Sequence, residues 1–265
     1  MQVKFNYYPG GRRKALTMSY DDGQIHDRRL VSIFNQYGIK GTFHLNSGLF
    51  GQGKRIDAAE VRALYEGHEI SAHGLTHPFL SLVPHEEFAH QMLEDRRRLE
   101  ELAGYPVRGM SYPFGDVSDE MLAVLPALGI EYSRTVKATG QLLLPQNFLL
   151  WHPTCHHNDR LRERLQDFQN TTAWRQMPLL YVWGHSYEFP NDDNWSLMEE
   201  FCRRVAGDPD VWYATNIEIV DYVTALRGLK FTVDRTMVYN PSALSVWIEV
   251  DGQPVEVGPG ERKPL

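Results

Sequence analysis

Residues 15–23 read Ala15-Leu16-Thr17-Met18-Ser19-Tyr20-Asp21-Asp22-Gly23. A short β-favouring run leads directly into two carboxylates and a glycine. The run reads as a strand and the Asp-Gly pair as the turn that ends it. Where helices cover a parallel sheet, reactive groups gather at the C-terminal ends of the strands, where the chain passes into the βα loops. This stretch therefore predicts both a strand and the position of candidate chemistry.

Similar β-rich runs recur at 42–45, 69–72, 109–112, 131–136, 148–152, 179–183 and 211–214. Helical patterns lie between many of them. Leu30, Ile33, Phe34 and Tyr37 fall at helical spacing before Gly38, and Phe88, Met92, Leu99 and Leu102 stripe a longer helix that begins after Pro84 and stops at Gly104. Asp57 with Glu60 and Ser196 with Glu199 read as N-cap pairs, and Asn216 as the cap of the last helix. Strand and helix alternating in this way predict a parallel sheet wrapped by helices, and about 250 residues suits its closure into a barrel. The expected fold class is α/β, a distorted (β/α)7-8 barrel over residues 1–228. Past Gly228 short strands separated by Asn-Pro and Asp-Gly turns replace the alternation, so residues 229–265 read as a small C-terminal β appendage.

The 265 residues carry a formal net charge of −7, which argues against a nucleic-acid partner. No apolar run approaches the roughly 20 residues of a membrane span, and the first residues lack an apolar leader segment, which reads as a cytoplasmic protein. Two cysteines, Cys155 and Cys202, do not make a disulfide framework.

The strand-end rule selects Asp21-Asp22, His44, His73 with His77, Tyr112 with Phe114, Arg134 and His185. His73 and His77 are four apart, a spacing that on one helical turn places both imidazoles on one side. Asp22, His73 and His77 together offer one carboxylate and two imidazoles, with a coordination position left for water, as catalytic metal sites have. Asp21 beside them is a candidate base, and His185 a candidate acid. His44 reads as structural or substrate-contacting. His152, His156, His157 and Cys155 cluster without a recognisable zinc spacing. Tyr20, Tyr112, Phe114 and Trp183 suit either sugar stacking or the barrel core.

At this point the chain resembles a known family. Thr17-Met18-Ser19-Tyr20-Asp21-Asp22-Gly23 is similar to the first motif of the polysaccharide deacetylases, the NodB-homology group of carbohydrate esterase family four. Gly67-His68-Glu69-Ile70-Ser71-Ala72-His73-Gly74-Leu75-Thr76-His77 is similar to the second. Gly41-Thr42-Phe43, Tyr112-Pro113-Phe114-Gly115 and His185 extend the similarity over roughly residues 14–225. The resemblance implies a distorted barrel with a divalent metal at its mouth, most often zinc, with cobalt, nickel, manganese or iron as alternatives. It implies Asp21 as base, Asp22, His73 and His77 as ligands, and His185 as acid. It puts a backbone N–H at or near Phe114 in the role of oxyanion donor. The implied activity is removal of an N-acetyl group from an amino sugar or polysaccharide. An O-acetyl ester or another amide as substrate, and a non-catalytic carbohydrate-binding protein, are the competing readings.

Two departures stand out. Ser111 occupies the position where the family's third motif has an arginine paired to the catalytic aspartate, and the acidic, tryptophan-containing fourth motif is not recognisable. Arg134, at the end of the fifth predicted strand, is the expected substitute partner of Asp21 and stands with Tyr112 and Phe114 among the substrate-side or oxyanion residues.

Overall fold

The computed structural model describes residues 1–171 and 177–265. Eight strands form one parallel sheet: β1 (Lys14–Asp21), β2 (Gly41–Leu45), β3 (Glu69–Ala72), β4 (Gly109–Ser111), β5 (Tyr132–Arg134), β6 (Cys155–His156), β7 (Leu179–His185) and β8 (Val211–Tyr213). Their order is β5-β4-β3-β2-β1-β7-β6. β1 is the centre of the sheet. It pairs with β7 from Ala15 to Asp21 along one edge, and on the other edge with β8 at Lys14–Leu16 and then with β2 at Met18–Asp21. Residues 15–21 are buried throughout, which explains the continuous β-favouring run in the sequence.

The sheet curls and closes through a single parallel bridge, Arg134 to Trp151. The Trp151 N–H donates to the Ser133 carbonyl at 3.0 Å, and downstream the Thr154 N–H donates to Tyr181 at 2.9 Å. One extended segment therefore spans the gap between β5 and β7. The result is the distorted (β/α) barrel that the sequence predicts. The strand expected at 148–152 is reduced to this bridge. Phe148–Leu150 is instead a 3-10 turn, because the Asn147 side chain accepts the Leu149 N–H at 2.9 Å and curls the backbone.

The helices α1 (Asp27–Tyr37), α2 (His85–Ala103), α3 (Leu161–Asn170), α4 (Trp195–Val205) and α5 (Asn216–Arg227) cover the sheet. Gly38 and Gly104 end α1 and α2 in the left-handed conformation, as expected of helix-stopping glycines. The Asp57–Glu60 capping box is present, but it opens a 3-10 turn and a single helical turn. Two cap assignments shift. Thr215, not Asn216, caps α5 and forms a capping box with Glu218, while Ser196 lies inside α4.

The C-terminal segment is antiparallel. Lys230–Phe231, Met237–Tyr239 and Arg262–Pro264 make one three-stranded sheet. Val246–Val250 and Gln253–Val257 form a hairpin that Val3–Lys4 extends, with Val3 opposite Val250 and Lys4 opposite Glu249. Val246, Ile248 and Val257 pack in one apolar cluster with Tyr8, Tyr222, Ala15 and Leu179. Ala15 and Leu179 lie at the starts of β1 and β7, so the appendage braces the end of the barrel opposite the one that carries Asp21 and His185. Among the described residues no helix is long and apolar enough to cross a membrane.

Candidate active site

β1 and β7 end side by side, with Asp21 in register with His185. Asp21 is buried. Its Oδ2 carries an ion pair with the fully buried Arg134, and its Oδ1 accepts a hydrogen bond from Ser111 Oγ at 3.1 Å. His73 Nε2 lies 3.8 Å from the same carboxylate. Burial alone would raise the Asp21 pKa. Arg134 first, then His73, His44 and His185, outweigh it and hold the carboxyl well below the usual range. Asp21 is therefore ionised at neutral pH.

Asp22, His73 and His77 offer ligand atoms that all lie within 4.8 Å of one another. His77 Nε2 is 3.9 Å from Asp22 Oδ1, a buried oxygen without a hydrogen-bond partner among the described residues. His73 Nδ1 is 2.9 Å from the Ser111 carbonyl, so it carries the proton and donates. That bond leaves Nε2 as a lone-pair donor, the arrangement that orients metal-binding imidazoles. Burial pushes His73 down to about 4 and lowers His77 as well, so both rings are neutral near pH 7. A carboxylate oxygen that accepts no hydrogen bond among the described residues and two neutral imidazoles fit a divalent transition-metal ion.

The His73–His77 pairing does not come from a helical turn. The segment is a loop in which Gly74 and His77 both have positive φ, and the two imidazole centroids lie 4.7 Å apart. Asn46 Nδ2 donates to the His73 and Gly74 carbonyls at 2.7 Å each, and Asp95 Oδ2 accepts the His73 N–H at 3.1 Å. Asp22 and Phe114 also have positive φ, 81° and 58°. Such conformations in non-glycine residues are held by their surroundings and concentrate at functional sites.

Ser111 bonds to both halves of the site, since its Oγ is also 2.7 Å from His73 Nδ1. Arg134, expected on the substrate side as well as against Asp21, is fully buried; its guanidinium stacks 4.4 Å over the Trp183 ring and bears on the aspartate. Tyr112 is apart from the cluster, buried with its hydroxyl donating to the Leu149 carbonyl at 2.8 Å. Phe114 is exposed, edge-on to His77 at 4.3 Å and stacked on Phe79 at 3.9 Å. Of the remaining histidines, His44 is fully buried against Ser19 Oγ at 2.9 Å and His152 bonds Thr135. Burial pushes the Cys155 thiol up to about 12, which makes it inert. Tyr20 lies fully buried in the core.

Three residues at the site escaped sequence reasoning. Arg55 Nη1 lies 3.3 Å from Asp22 Oδ1 and donates to the Asp22 carbonyl. Asp95, in mid-helix, anchors both His73 and Ser47. Glu188 lies 3.4 Å from His185 Nδ1 and gathers His156 and His157 into a second donor group. Its spacing, three residues after His185, is the one available signal. Burial alone would lower the His185 pKa, but Glu188, then Asp21 and Asp22, outweigh it and raise the value above that of an ordinary histidine.

Known proteins are similar to part of this chain. The polysaccharide deacetylase family model matches residues 9–133. A peptidoglycan-N-acetylglucosamine deacetylase of Bacillus cereus is 28% identical over 123 residues, covering 45% of this chain and 44% of that protein. The chain thus spans less than half the length of that curated relative. Among solved structures, a Mycobacterium smegmatis protein described as a polysaccharide deacetylase aligns with a TM-score of 0.63 at 17% identity, over 86% of this chain and 96% of the other. The PuuE allantoinase aligns with a TM-score of 0.62 at 15% identity, over 80% and 91%. At these identities the structural likeness establishes the barrel, and the matched model shows that residues 9–133 are similar to the polysaccharide deacetylase family.

Proposed function

We propose that this chain is a divalent-cation-dependent deacetylase that hydrolyses the N-acetyl groups of amino sugars in a polysaccharide. The observation that carries the reading is the juxtaposition of Asp21, ionised against Arg134, with the Asp22–His73–His77 donor group at one end of the barrel. Asp22 Oδ1, His73 Nε2 and the His77 imidazole would hold the ion, and zinc suits a set of two imidazoles and one carboxylate. When bound, such an ion supplies Lewis acidity toward water and the acyl carbonyl. Asp21 takes the proton from the attacking water. Arg134 and Ser111 hold that carboxylate in place. His185, raised in pKa, keeps a proton for the departing amine. The exposed Phe79–Phe114 ring pair provides an apolar ledge beside the ligands against which a pyranose face stacks.

The test is acetate release from N-acetylated and O-acetylated glycans by protein stripped with chelator and reloaded with zinc, cobalt, nickel, manganese or iron. Cation-dependent release from the N-acetylated set, lost in Asp21→Asn, is the expected result. Release from the O-acetylated set alone would make the protein an esterase. Stoichiometric metal uptake without release from any substrate would overturn the deacetylase reading in favour of carbohydrate binding.

A further inference from the structure

Glu188 is the hub of a cluster of three imidazoles. Its Oε2 lies 3.0 Å from His156 Nε2, 3.4 Å from His157 Nε2 and 3.4 Å from His185 Nδ1, and it accepts the His185 backbone N–H at 2.9 Å. Its neighbours in sequence are fixed as well. Ser186 Oγ bonds the buried Asp27, and Phe189 stacks on the fully buried His157 ring at 4.3 Å. The hydrogen bonding decides which proton sits where. The Asn158 N–H donates to His156 Nδ1 at 3.2 Å, so the proton of a neutral His156 is on Nε2 and points at Glu188. A ring in that state donates to the carboxylate and has no lone pair there for a cation.

We propose that Glu188 is the positioning residue of His185, holding the proton on Nδ1 so that Nε2 is the nitrogen left to act, and that His156 in turn holds Glu188. This rests on the reading of His185 as the acid. The Nδ1–Oε2 separation of 3.4 Å closes to a hydrogen bond with a small ring rotation, as catalytic contacts do on substrate binding. Asp21 and Asp22 from the end of β1, His156 and His157 from the end of β6, and Tyr187 with Glu188 from the segment after β7 are the titratable groups that face this imidazole.

Glu188→Gln keeps the shape and removes the charge, and Glu188→Asp is the conservative partner. The expected result for Glu188→Gln is a kcat lower by about 10- to 100-fold with KM changed by less than about threefold, and an alkaline limb moved down by about one pH unit. Glu188→Asp recovers part of both. A readout that needs no substrate is the ring 15N spectrum of the metal-loaded protein, with His185 assigned through His185→Gln. The Nδ1–H tautomer in the wild type, lost or mixed in Glu188→Gln, supports the proposal even if the substrate class is wrong. An unchanged spectrum and pH profile would overturn it. So would a second equivalent of bound zinc that disappears in Glu188→Gln or His156→Ala, because the cluster would then be a cation site.

Discussion

The guanidinium of Arg134, at the end of β5, bears on the carboxylate of Asp21, at the end of β1, sandwiched against the Trp183 ring. Both groups are buried, so neither is left to water when its partner is removed. Arg134→Ala should therefore cost about 3–5 kcal/mol of stability and most of the activity. Arg134→Lys should restore less than half of the lost stability, because an ammonium neither forks onto the carboxylate nor stacks on the indole. Thermal unfolding of the two variants checks this; equal melting temperatures for Arg134→Ala and wild type would refute it.

Removing the cation should lower the melting temperature. At a free zinc concentration 100 times its Kd, binding adds about 2.7 kcal/mol, or roughly 5–10 °C for a chain of this size. His77→Ala should abolish that increment while leaving the chelated protein's melting temperature within about 2 °C of wild type, because His77 is partly exposed and has left-handed φ. Scanning calorimetry with and without zinc distinguishes the cases.

Gly48 lies under the ligand loop. A Cβ there would sit 2.5 Å from the Leu75 carbonyl oxygen, and that oxygen cannot swing aside as a side chain could. Gly48→Ala should cost about 1–3 kcal/mol and weaken metal binding, since relief of the clash displaces the segment between His73 and His77. Unaltered zinc affinity would show that the loop absorbs the methyl group without moving its ligands.

Phe79→Ala should raise KM for an N-acetylated oligosaccharide by about 2- to 12-fold, the range for losing one ring contact. Hydrolysis of a small activated acetate ester, which spans no ledge, should be unaffected. Equal effects on both substrates would assign Phe79 to loop structure instead.

Asp27 is buried beneath the site with Tyr65 and Ser186 on its oxygens. Burial raises its pKa from 3.8 to about 7, more than these two bonds lower it. The folded chain thus keeps a proton that the unfolded chain releases, and stability falls as pH rises from about 4 to about 7, by at most about 1.4 kcal/mol per pH unit. Asp27→Asn should flatten that slope. Denaturant midpoints across the interval would show it, and an unchanged slope would assign the loss to other groups.

The residues that could be read from the sequence are those tied to local pattern. Asp21, Asp22, His73 and His77 sit in short contiguous motifs at strand ends. Arg134 could be anticipated because Ser111 left an aspartate without its usual partner. Asp95 and Arg55 carry no such mark, and Glu188 has only its spacing, three residues after His185. Asp95 and Arg55 are ordinary charged residues whose roles come from non-local contacts, such as Asp95 in α2 reaching the His73 backbone. The same reason hid the pairing of Val3–Lys4 with Val246–Val250, from opposite ends of the chain. The helical-turn spacing of His73 and His77 misled on geometry because Gly74 and Asn46 impose a different path.

Asp22, His77 and Phe114 all hold left-handed backbone conformations around one opening. Each costs on the order of 1–3 kcal/mol relative to a glycine at the same place. Selection for heat resistance alone would drive these positions toward glycine or asparagine, and would erase the side chains that crowd the opening. The chain thus carries local backbone strain at the opening, where these three side chains crowd together. A directed-evolution campaign on this scaffold should hold these three positions fixed and seek its gains in the brace at the far end of the barrel.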